Sequence, residues 1–330
     1  MRLTVVTNLR GLDRVVREGV AVRVVRHERA SGLKGHLLAF SRMFSADYIV
    51  VNCSPRDLFT YCLLKFIAPF SKARIVSMDS VLPVPRLDTV PQRLALWGKK
   101  RLFGRVHLFI EYFRETAGYE RWYGMRRERF RYVPFKVNRY EKVLNTAVRD
   151  EGYIFCGGNT RRDFKTLIEA VRGLPYPVRV VTMQEWVIAG HGSSLDERSL
   201  PPNVKVVRHD GSDTFLDHIA GAKLAALPIK RENISASGIG VLLTAMALGK
   251  CVVISEGPVV NGVVPDGAAV VVPPEDPAAL RRAIETMYTD DVARERVAAA
   301  GRAYALGLGG EERLCASVLD VLVADARGKA

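Results

Sequence analysis

Residues Asn233 to Ser255, NISASGIGVLLTAMALGKCVVIS, decide how the chain reads. A loop of Ser and Gly leads into an apolar helix from about Gly240 to Leu248, Gly249 stops it, and Cys251 to Ile254 is a β-branched strand. A loop of small residues feeding a buried helix leaves the first-turn amides unpaired, and the helix dipole favours negative charge there. This is a place to hold a phosphate. Ser235 and Ser237 can cap the helix or donate hydroxyls, and Gly238 and Gly240 let a ligand approach the backbone. The alternative is a capped core helix of an ordinary α/β domain.

Working outward, strands and helices alternate along the whole chain. In the first half Leu3 to Thr7, Val20 to Val25, Tyr48 to Val51, Arg74 to Met78, Val106 to Ile110 and Phe130 to Val133 read as strands. Between them the spacing predicts helices over Gly11 to Glu18, 35 to 44, Pro55 to about Pro69, Pro91 to Phe103 and about Glu115 to Tyr123. Tyr48 to Val51 is an apolar run without alternation, as expected when both faces of a parallel sheet are covered. Lys136 to Asp150 lacks an apolar period and reads as a connection. A second α/β domain follows, with strands at Tyr153 to Cys156, Val178 to Thr182, Val204 to Arg208, Leu224 to Ile229 and Ala268 to Val272, and helices at Asp163 to Arg172, Thr214 to Ala222 and Pro277 to Met287. The expectation is two doubly wound Rossmann-like α/β domains. Their boundaries fall at 1–138, a linker 139–150, 151–305, and a helical tail 306–330.

Composition narrows the class. At 330 residues and 48% hydrophobic the chain can bury a large core. The five cysteines are scattered through apolar runs and form neither a disulfide framework nor a metal-ligand spacing, which fits a reducing cytoplasm. No run approaches the length of a membrane span, and the N-terminus has only a four-residue apolar run, so the expectation is a soluble or peripheral protein. The net charge is +14, and all of the excess lies in residues 1–150, which carry 29 Lys+Arg against 13 Asp+Glu. Such asymmetry points to a polyanionic or membrane-surface partner for that half. Leu94 to Arg105, LALWGKKRLFGR, interleaves Trp97, Leu102 and Phe103 with Lys99, Lys100, Arg101 and Arg105, and Leu63 to Lys72, LLKFIAPFSK, has the same character. Aromatic residues beside basic clusters suit the interface of an anionic bilayer. A nucleic-acid partner is not expected, because no recognised nucleic-acid motif accompanies the basic charge.

Three runs, CGGNTRRDFKTLIEA, SASGIGVLLTAMALGKCVVIS and GAAVVVPPEDPAALRRAIETM, stand in an order and spacing that resemble the C-terminal half of GT-B fold glycosyltransferases, nearest to family four. The resemblance covers roughly residues 150 to 305; the first half is similar only in pattern. It implies two domains facing a cleft, a nucleotide-sugar donor held mostly by the C-terminal domain, and an acceptor on the N-terminal one. The family's glycine-rich first turn maps onto Gly157 and Gly158, its basic diphosphate ligands onto Arg162 and Lys165, and Ser235 to Ile239 would cap the diphosphate. A forked guanidinium suits a diphosphate and a lysine adds a point charge. Ligands of such sheets sit at the carboxyl ends of strands, so His209 and Lys230, each just past a strand, are further donor candidates for base or ribose. The chain departs from the family at Ala236 and Thr244, where two glutamates are expected. Thr244 can hydrogen-bond a ribose hydroxyl or its own backbone.

The expected activity is therefore transfer of a sugar, in the manner of a hexosyltransferase, to a lipid-linked or polysaccharide acceptor at the cytoplasmic face of the membrane. Alternatives are a non-catalytic GT-B partner protein and a nucleotide-sugar epimerase. An inverting reaction needs a base, and Asp79, at the end of the strand RIVSM, is the first choice; Asp13, Glu111 and His36 are the others. The nucleotide sugar enters as substrate, and neither a metal nor another cofactor is expected.

Overall fold

The computed structural model describes residues 1–26, 32–209 and 212–328. Two compact units divide it. One comprises Met1–Pro134, Ile234–Ala236 and Glu311–Ala330, the other Phe135–Asn233 and Ser237–Gly310.

The first unit is a six-stranded parallel sheet in the order β2-β1-β3-β4-β5-β6. Its elements in chain order are β1 (Arg2–Thr7), β2 (Ala21–Arg26), α1 (Gly32–Arg42), β3 (Tyr48–Asn52), α2 (Pro55–Ile67), β4 (Arg74–Met78), α3 (Val90–Phe103), β5 (Leu108–Glu111), α4 (Ala117–Tyr123) and β6 (Phe130–Tyr132). The β-branched runs form its centre: Val5, Val6, Ile49, Val50, Val51 and Val76 are fully buried. Local chemistry sets the helix starts. Ser54 accepts from the Asp57 amide with Pro55 in the first turn, and Thr89 with Gln92 forms a capping box before Pro91. The helix expected over 11–18 is only a 3-10 turn, Leu12–Arg14, after which Val15 is already extended. Two adjacent β-branched residues, Val15 and Val16, disfavour its continuation, and Gly19 takes a left-handed conformation at φ 71°.

The second unit repeats the architecture with a sheet of order β12-β11-β10-β7-β8-β9. Its elements are α5 (Tyr140–Leu144), β7 (Ile154–Gly157), α6 (Phe164–Val171), β8 (Val178–Thr182), α7 (Glu185–Gly190), β9 (Val204–Arg208), α8 (Ser212–Ala220), β10 (Leu224–Leu227), α9 (Ile239–Ala247), β11 (Cys251–Ser255), β12 (Val270–Val272), α10 (Pro277–Thr289) and α11 (Asp291–Leu308). Ile154, Cys156, Val180, Ala226 and Val253 of the sheet pack with Leu167 and Val171 of α6, Ile284 of α10 and Val297 of α11. The order reverses between β7 and β10, so the crevice at their carboxyl ends is a topological switch point. Residues 136–150 are not a featureless connection: Val137 and Val143 are buried and α5 lies within them.

The last helix, α12 (Glu311–Ala326), belongs to the first unit. It buries Leu314, Val318, Leu319 and Leu322, and near its end Asp325 gathers three partners. Tyr48 Oη donates to Asp325 Oδ2 at 2.6 Å, Arg74 Nη1 lies 2.8 Å from the same oxygen, and His107 Nε2 lies 2.9 Å from Oδ1. Burial alone would raise this carboxyl, but the bonds from Tyr48, His107 and Arg74 hold it below its ordinary range. A carboxylate depressed in the folded state contributes stability above its unfolded pKa and loses it as pH falls through the folded value. Asp325→Asn is therefore expected to cost about 2 kcal/mol at neutral pH, discounted for the half-exposed Arg74. The deficit should shrink in acid, and urea unfolding of both proteins across pH checks it.

Candidate active site

In the second unit a cavity of about 490 Å³ opens at the switch point. Gly158, Asn159, Thr160 and Arg162, which follow β7, and Gly238, Gly240, Val241 and Thr244, at the start of α9, line two of its sides. Met183, His209, Phe215 and Leu216 form an apolar and aromatic wall, and Asn138, Arg139 and His191 complete the rim. The ring of His209 lies 4.8 Å from that of Phe215, whose edge meets Phe155.

Arg162 organises this site. It is 1% exposed, an uncommon state for an arginine. Its Nε donates to the Gly157 carbonyl at 2.7 Å and its Nη1 to the Thr160 carbonyl at 3.2 Å. The chain around it is pinned on both sides. Its amide donates to Ser193 Oγ at 2.8 Å, Ser193 Oγ donates to the Asn159 carbonyl at 2.6 Å, and the Asp163 amide donates to the Pro228 carbonyl after β10. No carboxylate among the described residues pairs with the guanidinium, and burial lowers its pKa to about 10. A buried cation left with two carbonyls retains donors for an anion.

Two glycines make room for it. Gly158 (φ 104°) and Gly238 (φ 96°) both take conformations that other residues rarely adopt. A Cβ at Gly158 would lie 2.5 Å from Arg162 Nη2, and one at Gly238 2.8 Å from Nη1. The backbone therefore grips the cation closely. Among the described residues the amides of Ile239 and Gly240 open α9 without a backbone acceptor, while Val241 and Leu242 already donate to the Gly238 carbonyl. A guanidinium and a helix N-terminus converge on one crevice, the arrangement that holds phosphate oxygens.

The other candidates distribute as follows. His209 lines the cavity. Thr244 also lines it, with its hydroxyl donating to the Gly240 carbonyl at 2.7 Å, the backbone alternative to a ribose contact. Ser237 is buried and donates to Asn233 Oδ1 at 2.8 Å, so it faces the loop's own interior. Ile239 is buried in the first turn of α9, and Gly157 supplies the carbonyl that positions Arg162. Ser235 is buried in the segment Ile234–Ala236, which clusters with the first unit. Lys165 needs correction as a partner of Arg162 in the cavity. It sits on the solvent side of α6 with its side chain 86% exposed, 3.9 Å from Glu169. With Lys230 it lines a second, polar depression on the other side of Arg162, which also contains Asp163, Glu232 and Glu275. Asn138, Arg139, Met183, His191, Phe215 and Leu216 have no counterpart among the sequence candidates.

In the first unit Asp79 follows β4 in a left-handed conformation, φ 51°, uncommon for a residue with a side chain. Its amide donates to the Ile110 carbonyl, which ties it to β5. Desolvation pushes its carboxyl up to about 6. Glu111, at the end of β5, is 1% exposed and accepts both oxygens' hydrogen bonds from the Ser80 amide, at 3.2 and 3.1 Å. Burial, and then the neighbouring charge of Asp79, raise Glu111 well above its usual range. Two carboxyls thus stand at the carboxyl end of the first sheet, where ligands of such folds bind. Of the other base candidates, Asp13 is paired with Arg26 at 2.8 Å and His36 lies 3.4 Å from Asp57. Trp97, Lys99, Lys100 and Arg101 are at least partly exposed on α3, whereas Phe103 is buried in the core and presents nothing to a surface.

Comparison with known proteins places the fold and a partial family likeness. Residues 151–290 match the family of group 1 glycosyl transferases. No curated protein matches the chain in sequence. Among solved structures, HepE of Anabaena, in complex with UDP and glucose, is similar at 13% identity and a TM-score of 0.67 over 97% of this chain and 99% of its own. Sucrose-phosphate synthase from Thermosynechococcus elongatus gives 14%, 0.67 and full coverage of both chains. The UDP-GlcNAc 2-epimerase from Neisseria meningitidis, bound to UDP-GlcNAc, gives 10% and 0.53 over 98% of this chain and 100% of its own. The two parallel sheets, with a phosphate-ready crevice at the switch point of the second, share the GT-B architecture of these solved structures, and residues 151–290 are similar to group 1 glycosyl transferases.

Proposed function

We propose that the chain moves a hexose-like sugar from a nucleoside diphosphate donor to a lipid-linked or polysaccharide acceptor at the cytoplasmic face of the membrane. The observation that carries the donor half is Arg162, a buried guanidinium without a carboxylate partner among the described residues, clasped by Gly158 and Gly238 beside the open N-terminus of α9. In this reading the diphosphate lies against Arg162 and the Ile239 and Gly240 amides, and the base lies toward His209 and Phe215. As the anomeric bond breaks, negative charge grows on the leaving diphosphate, and these donors meet it without needing to reorganise. Lys165, Lys230, Ser235 and Ser237 would support the loops around the diphosphate rather than touch it. Asp79 would accept the acceptor hydroxyl's proton, its desolvated carboxyl being a stronger base than an exposed one. The relatives solved with UDP, UDP and glucose, or UDP-GlcNAc support a uridine donor, and the basic charge of residues 1–150 supports an acceptor at an anionic surface.

Thermal stabilisation across UDP, GDP, ADP and their sugars tests the donor assignment, since a ligand that binds only the native state raises its stability. A dissociation constant one hundredth of the ligand concentration corresponds to about 2.7 kcal/mol. One nucleotide is expected to give such a shift and the others little, with turnover unchanged by chelators. No shift with any of them would overturn the donor site, and sugar isomerisation without acceptor would assign an epimerase instead.

A further inference from the structure

Helices α1, α2 and α3 connect strands that advance in one direction across the first sheet, β2 to β3, β3 to β4 and β4 to β5, so right-handed crossovers place all three on the same face. Helix α2 packs between the other two. Each should hide its apolar stripe against the sheet, yet each also carries one pointing outward. On α1 and just beyond it these are Leu33, Leu37 and Phe44, at 75%, 57% and 57% exposure, in step with the half-buried Phe40. Helix α2 and the turn after it expose Leu63, Phe66, Ile67 and Phe70, the last 98% exposed, and α3 exposes Val90, Leu94 and Trp97. Spacings of three and four residues make each set a continuous stripe on its helix. Scattered exposed apolar residues are ordinary, but three parallel stripes on neighbouring helices form a patch.

The charge around the patch is nearly all of one sign, since Asp57 of α2 is mostly buried beside His36. No Asp or Glu occurs in residues 32–46, 58–78 or 89–110, whereas Lys34, Arg42, Lys65, Arg93, Lys99, Lys100, Arg101 and Arg105 do. The cations are interleaved with the apolar groups: the Arg101 guanidinium stands 4.8 Å from the Trp97 ring and Arg105 5.2 Å from Phe66. Among the described residues no helix is long and apolar enough to cross a membrane. We infer that the α1–α3 face docks flat on an anionic lipid bilayer, its aromatic and aliphatic side chains seated among the acyl chains and its lysines and arginines on the headgroup phosphates. Charge complementarity selects this occupant, because a purely apolar partner surface would leave the exposed Lys34, Lys100, Arg101 and Arg105 without counter-charge. The inference deepens the acceptor half of the proposed function by giving the surface through which a lipid-linked acceptor is met, and rests on that reading only there.

Sedimentation with vesicles tests it. The wild-type protein is expected to partition onto equimolar phosphatidylglycerol and phosphatidylcholine and far less onto phosphatidylcholine alone, with binding weakened by salt. Replacing Lys99, Lys100 and Arg101 together by Gln should lower the partition coefficient by about two orders of magnitude. Ile67→Ser with Phe70→Ser should lower it about tenfold or more. These side chains are outside the core, so melting temperature and nucleotide stabilisation should be unchanged in every variant. Failure to sediment with either vesicle, or equal partition onto both that the glutamines leave intact, overturns the inference. So does a concentration-dependent dimer that Phe70→Ser dissociates, since the face would then meet a second copy. Vesicle binding without any nucleotide shift would keep the docking face and discard the donor site; the reverse result would do the opposite.

Discussion

Arg162→Lys is expected to lower kcat by about two to three orders of magnitude, the usual cost of removing one preorganised donor from a developing negative charge. It should also abolish most of the nucleotide's thermal stabilisation. Lysine preserves the charge but not the fork, and it reaches the Gly157 and Thr160 carbonyls and a diphosphate together only at the expense of one of them. Gly238→Ala should phenocopy it with arginine still present, because the new methyl would claim the space of Nη1 at a positive φ. Single-turnover rates and melting curves of both variants check this. Wild-type nucleotide binding in Arg162→Lys would show that the guanidinium is structural and would return the donor site to the helix N-terminus alone.

Asp79→Asn is expected to reduce kcat by about two to four orders of magnitude while leaving KM for the donor and the nucleotide shift intact, the signature of a base used only in the transition state. The pH profile has a definite sign. The base acts when ionised, so with its carboxyl pushed up to about 6 the wild-type kcat/KM should climb tenfold per unit below that pH and level above it. Desolvation, not the charge of Glu111, raises Asp79, so Glu111→Gln should leave the acid limb in place. A limb that moves to lower pH in Glu111→Gln would mean that the two charges repel at working pH. Full activity of Asp79→Asn would show that the reaction needs no base at this position.

The sheets were legible because parallel strands buried on both faces announce themselves as β-branched runs, such as Ile49–Val51 in YIVVN and Val252–Ile254 in CVVIS. The short elements were not. A five-residue helix such as α5 cannot display a period, and this is how Asn138 and Arg139, at the rim of the cavity, passed for linker. Arg162 could be nominated from the sequence but its burial could not, since composition treats every arginine as exposed. The available signal was the pair of glycines at 158 and 238, far apart in the chain and both required by the same side chain. Lys165 followed the opposite course: three positions along from Arg162 it turns outward on α6. Met183, Phe215 and Leu216 were invisible as a wall because an apolar residue lining a cavity is spelled like one filling a core. The same ambiguity concealed the outward stripe of α1, whose leucines have the period of an inward one.

The clasp around Asp325 bears on the order in which the protein can be made. Tyr48, Arg74 and His107 leave the ribosome early, yet the carboxylate that joins them and the apolar face of α12 arrive only after residues 135–310 of the other unit have been synthesised. Domains generally mature as units during translation. Here the unit that begins first is completed last, and until then the buried faces of Leu12 and Tyr48 lack their final cover. A nascent chain stalled before Glu311 would hold a finished second unit beside an unfinished first one, and would be the species that chaperones and proteases encounter.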